Sequence, residues 1–269
     1  MSRIGLLVPC YMAILRPEDV SSSRRILEAL GESVDEIKGY CCGQPAYNSG
    51  YRKEAQSVSR KMLRVTRPYE TVVVPSGSCT SMVRTGIPKI FAGPRGLSIT
   101  ERTKAFFDFG EFVHSHPRLT ELNFELTGTI AYHDSCHGRR ELGITSKLID
   151  LLEHINGLKL RRLPHEEECC GFGGAFTVKQ PEVSVEIART KLGEITETGA
   201  QILVSEDLSC LTHLQATAEG DGRKLETWTI AELLDRALNE KLSNTRKTEN
   251  RSSIKTSRNT KTDSTQCGS

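Results

Sequence analysis

Glu166-Glu167-Glu168-Cys169-Cys170-Gly171-Phe172-Gly173-Gly174 holds two adjacent cysteines, and a second doublet stands in Gly39-Tyr40-Cys41-Cys42-Gly43. A disulfide needs Cα atoms roughly 4.4–6.8 Å apart, whereas a trans peptide holds neighbours about 3.8 Å apart, so a bond within either doublet is disfavoured. Two thiolates offered to one metal centre is the better reading. The other cysteines surround the doublets in a repeated order. Cys10 lies 31 residues before Cys41 and Cys79 lies 37 after Cys42; Cys136 lies 33 before Cys169 and Cys210 lies 40 after Cys170. The chain therefore reads Cys, Cys-Cys, Cys twice. The offsets between matching cysteines are 126 for Cys10/Cys136, 128 for Cys42/Cys170 and 131 for Cys79/Cys210, a drift expected of a duplicated unit whose loops changed length. Inert core thiols are the plainer alternative, but burial would not demand the same order twice.

Around these cysteines the apolar pattern predicts alternating strands and helices. Ile4 to Val8 is a short apolar run of the buried-strand kind ending at Pro9-Cys10, and Thr71 to Val74 is the clearest strand, delivering Ser76-Gly77-Ser78-Cys79. Val34 to Ile37 leads into the first doublet, and Leu158 to Leu163 into the second. Thr129 to Tyr132 leads to Cys136, and Gln201 to Val204 to Cys210. Helices are predicted over Glu18 to Leu30, Asn48 to Val65, Ser146 to His154, Pro181 to Glu197 and Ile230 to Leu238, with Pro181 at a helix start and Gly199 beyond its end. The expectation is an α/β protein of two repeated halves with parallel-type sheets, the cysteine-bearing loops lying at the strand carboxyl ends where such sheets hold ligands. Residues 1–90 form the first repeat, 91–128 a connecting helical segment around Phe106, Phe107, Phe109 and Phe112, 129–241 the second repeat, and 242–269 a disordered tail. Gly171-Phe172-Gly173-Gly174 lacks the spacing of a dinucleotide fingerprint and is read as room for a bulky cofactor.

Composition sets the outer bounds. The chain has 269 residues, 37% of them hydrophobic and 26% charged, enough for a sizeable core. No apolar run approaches the ~18 residues of a membrane span, and none resembles a signal segment, so a cytoplasmic protein is expected. Nine cysteines in such a chain favour metal ligation over a disulfide framework. From Ser243 onward the chain carries a surplus of four positive charges, which leaves the rest at −2 against an overall +2. That stretch is too polar to fold, and with no aromatic interleaved it is read as a solvated extension and not as a nucleic-acid arm. Cys267 lies there and belongs to no site.

Four stretches carry a family resemblance. They are Cys41-Cys42-Gly43-Gln44-Pro45-Ala46-Tyr47-Asn48-Ser49-Gly50, Val74-Pro75-Ser76-Gly77-Ser78-Cys79, Tyr132-His133-Asp134-Ser135-Cys136-His137 and Glu168-Cys169-Cys170-Gly171-Phe172-Gly173-Gly174. Together they resemble the cysteine-rich CCG repeat of the heterodisulfide reductase B subunit and the glycolate oxidase iron–sulfur subunit, and more closely the lactate-utilisation protein A family. The resemblance covers roughly Ile4 to Leu238. It implies an iron–sulfur oxidoreductase subunit of an L-lactate-oxidising complex, with two 4Fe-4S-type clusters held by Cys10, Cys41, Cys42, Cys79, Cys136, Cys169, Cys170 and Cys210. It also implies a ferredoxin-like iron–sulfur subunit and a third small subunit as partners, with L-lactate as a candidate ligand.

In the heterodisulfide reductase pattern each repeat ends in Cys-x-x-Cys. Here those last places are Met82 and His213. Four thiolates per half suffice for a cubane cluster or a tetrahedral zinc, so zinc in either half stays open. His213 is a candidate extra ligand by position, while Met82 reads as core filler, since a thioether competes poorly with thiolate for iron. His133, Asp134 and His137 flank Cys136 and could relay protons or touch a substrate, or serve as a helix cap and surface histidines. Arg139 and Arg140 could grip a carboxylate or lie solvated. Glu166 to Glu168 are too acidic for an anionic substrate and suit a partner's surface. Three functions follow: the lactate-oxidising redox subunit, a heterodisulfide-type disulfide reductase subunit, and a zinc-stabilised scaffold without redox chemistry.

Overall fold

The computed structural model describes residues 3–91 and 94–239, so the expected tail lies outside the described residues. Among the described residues, eight strands form two sheets. The first contains β1 (Arg3–Leu7), β2 (Ser33–Ile37), β3 (Val72–Val74) and β4 (Phe106–Asp108), in the order β2-β1-β3-β4 with every pairing parallel. The second contains β5 (Glu125–Tyr132), β6 (Asn156–Arg162), β7 (Ile202–Ser205) and β8 (Glu226–Thr229), in the matching order β6-β5-β7-β8, again all parallel. The protein is thus α/β and built of two like halves. In each half the chain leaves its first strand to one side and returns on the other, which opens a crevice at the carboxyl ends beside that strand.

Central strands of a parallel sheet are covered on both faces, which is why Val72, Val73 and Val74 are all buried and read as an unbroken apolar run. One part of the first sheet, through Ile4, Leu6 and Val73, joins a core that continues through Phe109, Phe124, Ile130, Tyr132 and Leu234 into the second half. Leu7, Ile37, Met62, Val72, Val74 and Phe106 build a separate core within the first half. Each such side chain contributes roughly 1.5–3 kcal/mol on burial, so the shared core ties the halves into one body. Polar contacts reinforce it. Arg16 donates to the Thr227 carbonyl at 2.8 Å, and Arg25 pairs with Asp235 of the helix over 230–239.

Two elements depart from expectation. Phe106–Asp108, expected within a helical connector, pairs with β3 as a fourth strand, because an aromatic pair offers one buried face to a pleated neighbour. The helix follows directly, Phe109–His114, its start capped by the Asp108 carboxylate on the Gly110 and Glu111 N–H groups. The helix expected over Asn48 to Val65 is two, Gln44–Asn48 and Arg52–Thr66, because Gly50 takes a left-handed φ of 87° between them. No helix among the described residues is long and apolar enough to cross a membrane.

Candidate metal centre

Every strand expected to deliver a cysteine does so at its carboxyl end. Cys10 follows β1, Cys41 and Cys42 follow β2, and Cys79 sits in the first turn of the helix Gly77–Ser81 after β3. Cys136, the Cys169-Cys170 pair and Cys210 repeat this after β5, β6 and β7, with Cys210 near the head of the helix Leu208–Gly220. All eight line a single cavity of about 290 Å³ between the halves.

Within each half the thiols form a file. Cys41 is hydrogen-bonded to both Cys10 and Cys42, and Cys42 Sγ lies 3.4 Å from Cys79 Sγ. Cys169 is likewise bonded to Cys136 and Cys170, and Cys170 Sγ lies 2.9 Å from Cys210 Sγ. The glycine after each doublet completes the pattern. Gly43 and Gly171 hold φ near +90° and aim their N–H groups at Cys41 Sγ (3.4 Å) and Cys169 Sγ (3.3 Å). A Cβ at Gly171 would stand 2.4 Å from the Ser184 carbonyl oxygen, so the third residue of the motif must be glycine for backbone and packing reasons alike. Gly173 and Gly174, in contrast, line the cavity.

Hydrogen bonds from Cys10 and Cys42, joined by the Gly43 N–H, hold the Cys41 thiol down at about 2. The bonds from Cys136, Cys170 and Gly171 do the same for Cys169, also about 2. Their neighbours Cys10, Cys42, Cys136 and Cys170 are pushed up by those same bonds and by burial. At Cys210 the bond with Cys170 pulls downward, but burial and the nearby acids Asp207 and Glu206 prevail, and the thiol rises to about 11. Each half thus presents one thiolate stabilised by its neighbours, and metal binding would release the remaining protons.

Two acids that sequence reading passed over hold the halves in register. Asp207 caps its own helix through Oδ1, accepting from Ser209 N at 3.0 Å, and reaches across with Oδ2 to accept from Ser78 N at 2.6 Å. Its carboxylate therefore joins the helix carrying Cys210 to the helix carrying Cys79. Glu206, fully buried, accepts from Tyr132 Oη (2.8 Å) and Ser135 N (3.1 Å), while its carbonyl takes the Gly77 N–H. Burial and then the charge of Asp134 raise its carboxyl to about 7. Two consecutive acids between a strand and a cysteine-bearing helix were the available signal. A third bridge is Gln44 Nε2, which donates to the Ser78 carbonyl and lies 3.3 Å from His137 Nε2. An amide nitrogen only donates, so His137 Nε2 accepts and its proton sits on Nδ1, 3.7 Å from Cys136 Sγ.

The remaining candidate residues separate clearly. Arg139 is ion-paired with Asp134 (2.9 Å) and Glu166 (3.0 Å), and Arg140 donates to the Glu167 carbonyl, so both are engaged with protein groups and neither lines the cavity. Glu166 also pairs with Arg162. Met82 is buried among the first-half apolar residues. His213 is buried, with Nε2 on the Ser184 hydroxyl (3.2 Å) and carbonyl (3.3 Å), beside the Phe172 ring and away from the cavity lining. His133 is the histidine whose ring nitrogen groups within 4.8 Å of the Cys170 and Cys210 sulfurs. Burial lowers it to about 4, which keeps the imidazole neutral.

Eight convergent thiols with N–H donors at the sulfurs fit a thiolate-bound metal group. A tetrahedral zinc, with Zn–S about 2.3 Å, would need sulfurs about 3.8 Å apart in every pair. Among the described residues, the Cys-containing group with all ligand atoms within 4.8 Å is His133, Cys170 and Cys210, not the four cysteines of either half. The files are spread more widely than one zinc requires.

These features define a duplicated, cysteine-lined α/β scaffold, and the comparisons agree. Residues 4–84 and 130–215 each match the family described as CCG: Cysteine-rich domain, and the chain belongs to that family. It is 36% identical over 236 residues to Lactate utilization protein A of Geobacillus kaustophilus (strain HTA426), spanning 87% of this chain and 98% of that one. Lactate utilization protein A 1 of Bacillus mycoides (strain KBAB4) is 35% identical over 237 residues, spanning 87% and 96%. Among solved structures, a hypothetical protein from Helicobacter pylori matches with a TM-score of 0.58 at 13% identity, covering 88% of this chain. This chain spans 50% of that one, and the likeness shows the fold alone.

Proposed function

We propose that this protein is the iron–sulfur redox subunit of an L-lactate-oxidising system in the cytoplasm, with one centre held by Cys10, Cys41, Cys42 and Cys79 and another by Cys136, Cys169, Cys170 and Cys210. The observation that carries this reading is the convergence of all eight cysteines on one cavity. Bound iron–sulfur clusters would supply one-electron steps. The chain's own groups would set the surroundings: the Gly43 and Gly171 N–H groups and the His137 Nδ1–H lie against sulfur, and such donors raise a cluster's potential.

Lactate itself is oxidised in a partner subunit under this proposal. A carboxylate is ordinarily gripped by arginine or lysine, and the cavity lining among the described residues contains no charged side chain except the thiolates. Ile14 and Leu15, 79% and 55% exposed, give the rim beside Cys10 an apolar face suited to a ferredoxin-like or small partner subunit. Iron and acid-labile sulfide assays with Mössbauer and EPR spectra of anaerobically purified full-length protein test the proposal. Two clusters per chain are expected, reducible by lactate only when the partner subunits are added. A colourless, zinc-only preparation would sink it.

The neutral lining favours one second reading. Gln44, Asn48, Ser78 and Thr212 surround the sulfurs without charge, which suits a disulfide substrate taking two electrons and two protons to give two thiols. Disulfide reduction by the isolated protein with dithionite as electron donor would select this reading over the first.

A further inference from the structure

His133 is the first residue after β5, and its N–H donates to the Val204 carbonyl at 2.8 Å, which pins it between the carboxyl ends of β5 and β7. It is 1% exposed, yet neither ring nitrogen has a hydrogen-bond partner among the described residues. Leaving a buried imidazole without partners is destabilising, and a ligand bond would satisfy its lone pair. What faces it is sulfur, since a ring nitrogen, Cys170 Sγ and Cys210 Sγ all lie within 4.8 Å of one another.

The first half shows what this place holds when no polar group is needed. Counting back from the paired cysteines Cys10 and Cys136, Leu7 is the residue that matches His133. The sheet register agrees: Gly5 pairs with Val72 seven residues before Cys79, and Ala131 pairs with Leu203 seven residues before Cys210. Leu7 is buried and packs in one cluster with Cys42 and Cys79. The same recess behind the third and fourth sulfurs is thus closed by isobutyl in one half and by an unpartnered imidazole in the other.

We infer that His133 is a nitrogen ligand of the second-half metal centre, so that the two centres differ: thiolate only in the first half, thiolate plus neutral imidazole in the second. The inference rests on reading the cysteines as a metal-binding set. It passes over His213, whose Nε2 is taken by Ser184. Imidazole is a soft enough donor to stand beside thiolate on iron or zinc, and a neutral ligand in the place of a thiolate makes a centre easier to reduce.

The test uses full-length protein grown with 15N-histidine, purified anaerobically and reduced, with pulsed EPR reading nitrogen hyperfine coupling to the cluster spin. A coupling of directly bound nitrogen is expected in the wild type and in His213→Ala, and its loss is expected in His133→Leu, a side chain the fold already accepts at Leu7. Co²⁺ titration of the metal-free protein gives a second readout: thiolate-to-cobalt bands in both proteins, with the ligand-field bands of one site displaced to lower energy in His133→Leu. A coupling that survives His133→Leu, or one weak enough for an N–H···S contact only, overturns the assignment. Absence of iron and of thiolate–cobalt bands in the wild type would overturn the cysteine reading itself, and the assignment with it.

Discussion

The two halves carry the same four-cysteine file on the same parallel sheet, yet they are not equal in how they are held. In the first half the helix bearing Cys79 is capped locally, by the Ser76 hydroxyl accepting from Cys79 N. In the second half the cap is Asp207, whose carboxylate serves its own helix and that of the first half together. Leu7 answers to His133, and Met82 to His213. Duplication therefore kept the sulfurs, which any thiolate-bound centre needs, and let their surroundings diverge. The second half supplies the acids and histidines, and the first half leans on them.

The largest effect should come from the sulfurs themselves. Cys42→Ser is expected to remove about half of the bound iron and leave the spectroscopic signal of the second half, and Cys170→Ser to do the reverse, because soft clusters require thiolate. If either change empties both halves while the fold persists by circular dichroism, the cavity holds one shared centre.

The unequal caps come next. Asp207→Asn keeps a carbonyl oxygen for Ser209 N but leaves the Ser78 N–H without its charged acceptor, which should cost about 1.5–3 kcal/mol in denaturant unfolding. Ser76→Ala, losing one local cap, should cost about 1 kcal/mol. Equal costs would show that Asp207 does nothing for the first half.

Glu206 gives the comparison a pH axis. Its carboxyl rises from 4.5 to about 7 on folding, through burial first and the Asp134 charge second, with Asp108 also close enough to interact. Between those values the folded state keeps a proton that the unfolded chain has lost. Stability should therefore fall as pH rises through that window and level off above pH 7, by at most roughly 3 kcal/mol from this group. Glu206→Gln should flatten that slope and raise the thermal midpoint at pH 8. An unchanged slope would mean that the carboxyl is ionised throughout.

Met82→Leu should do least. It is a volume-conserving swap in a packed site, expected below about 1.5 kcal/mol and without change in iron content. Iron loss would make the thioether a ligand and the halves more alike than they look.

The repeat of Cys, Cys-Cys, Cys and the run of apolar residues before each cysteine were enough to read an α/β chain of two halves with its sulfurs at strand carboxyl ends, since strand period and ligand order are properties of neighbours along the chain. Short-range pattern misjudged Phe106–Asp108, whose strand character depends on β3 lying beside it, and the break at Gly50, which a helical periodicity bridges without notice. The site divides in the same way. Which residues are thiols is written in the sequence, and the glycine after each doublet is there to see. That both files face one cavity, that Asp207 reaches Ser78 across 129 positions, and that the unpartnered imidazole beside Cys170 and Cys210 belongs to His133 and not to His213 were decided by tertiary packing alone. These are contacts between distant segments, set by how two sheets share one core, and no local spacing encodes them.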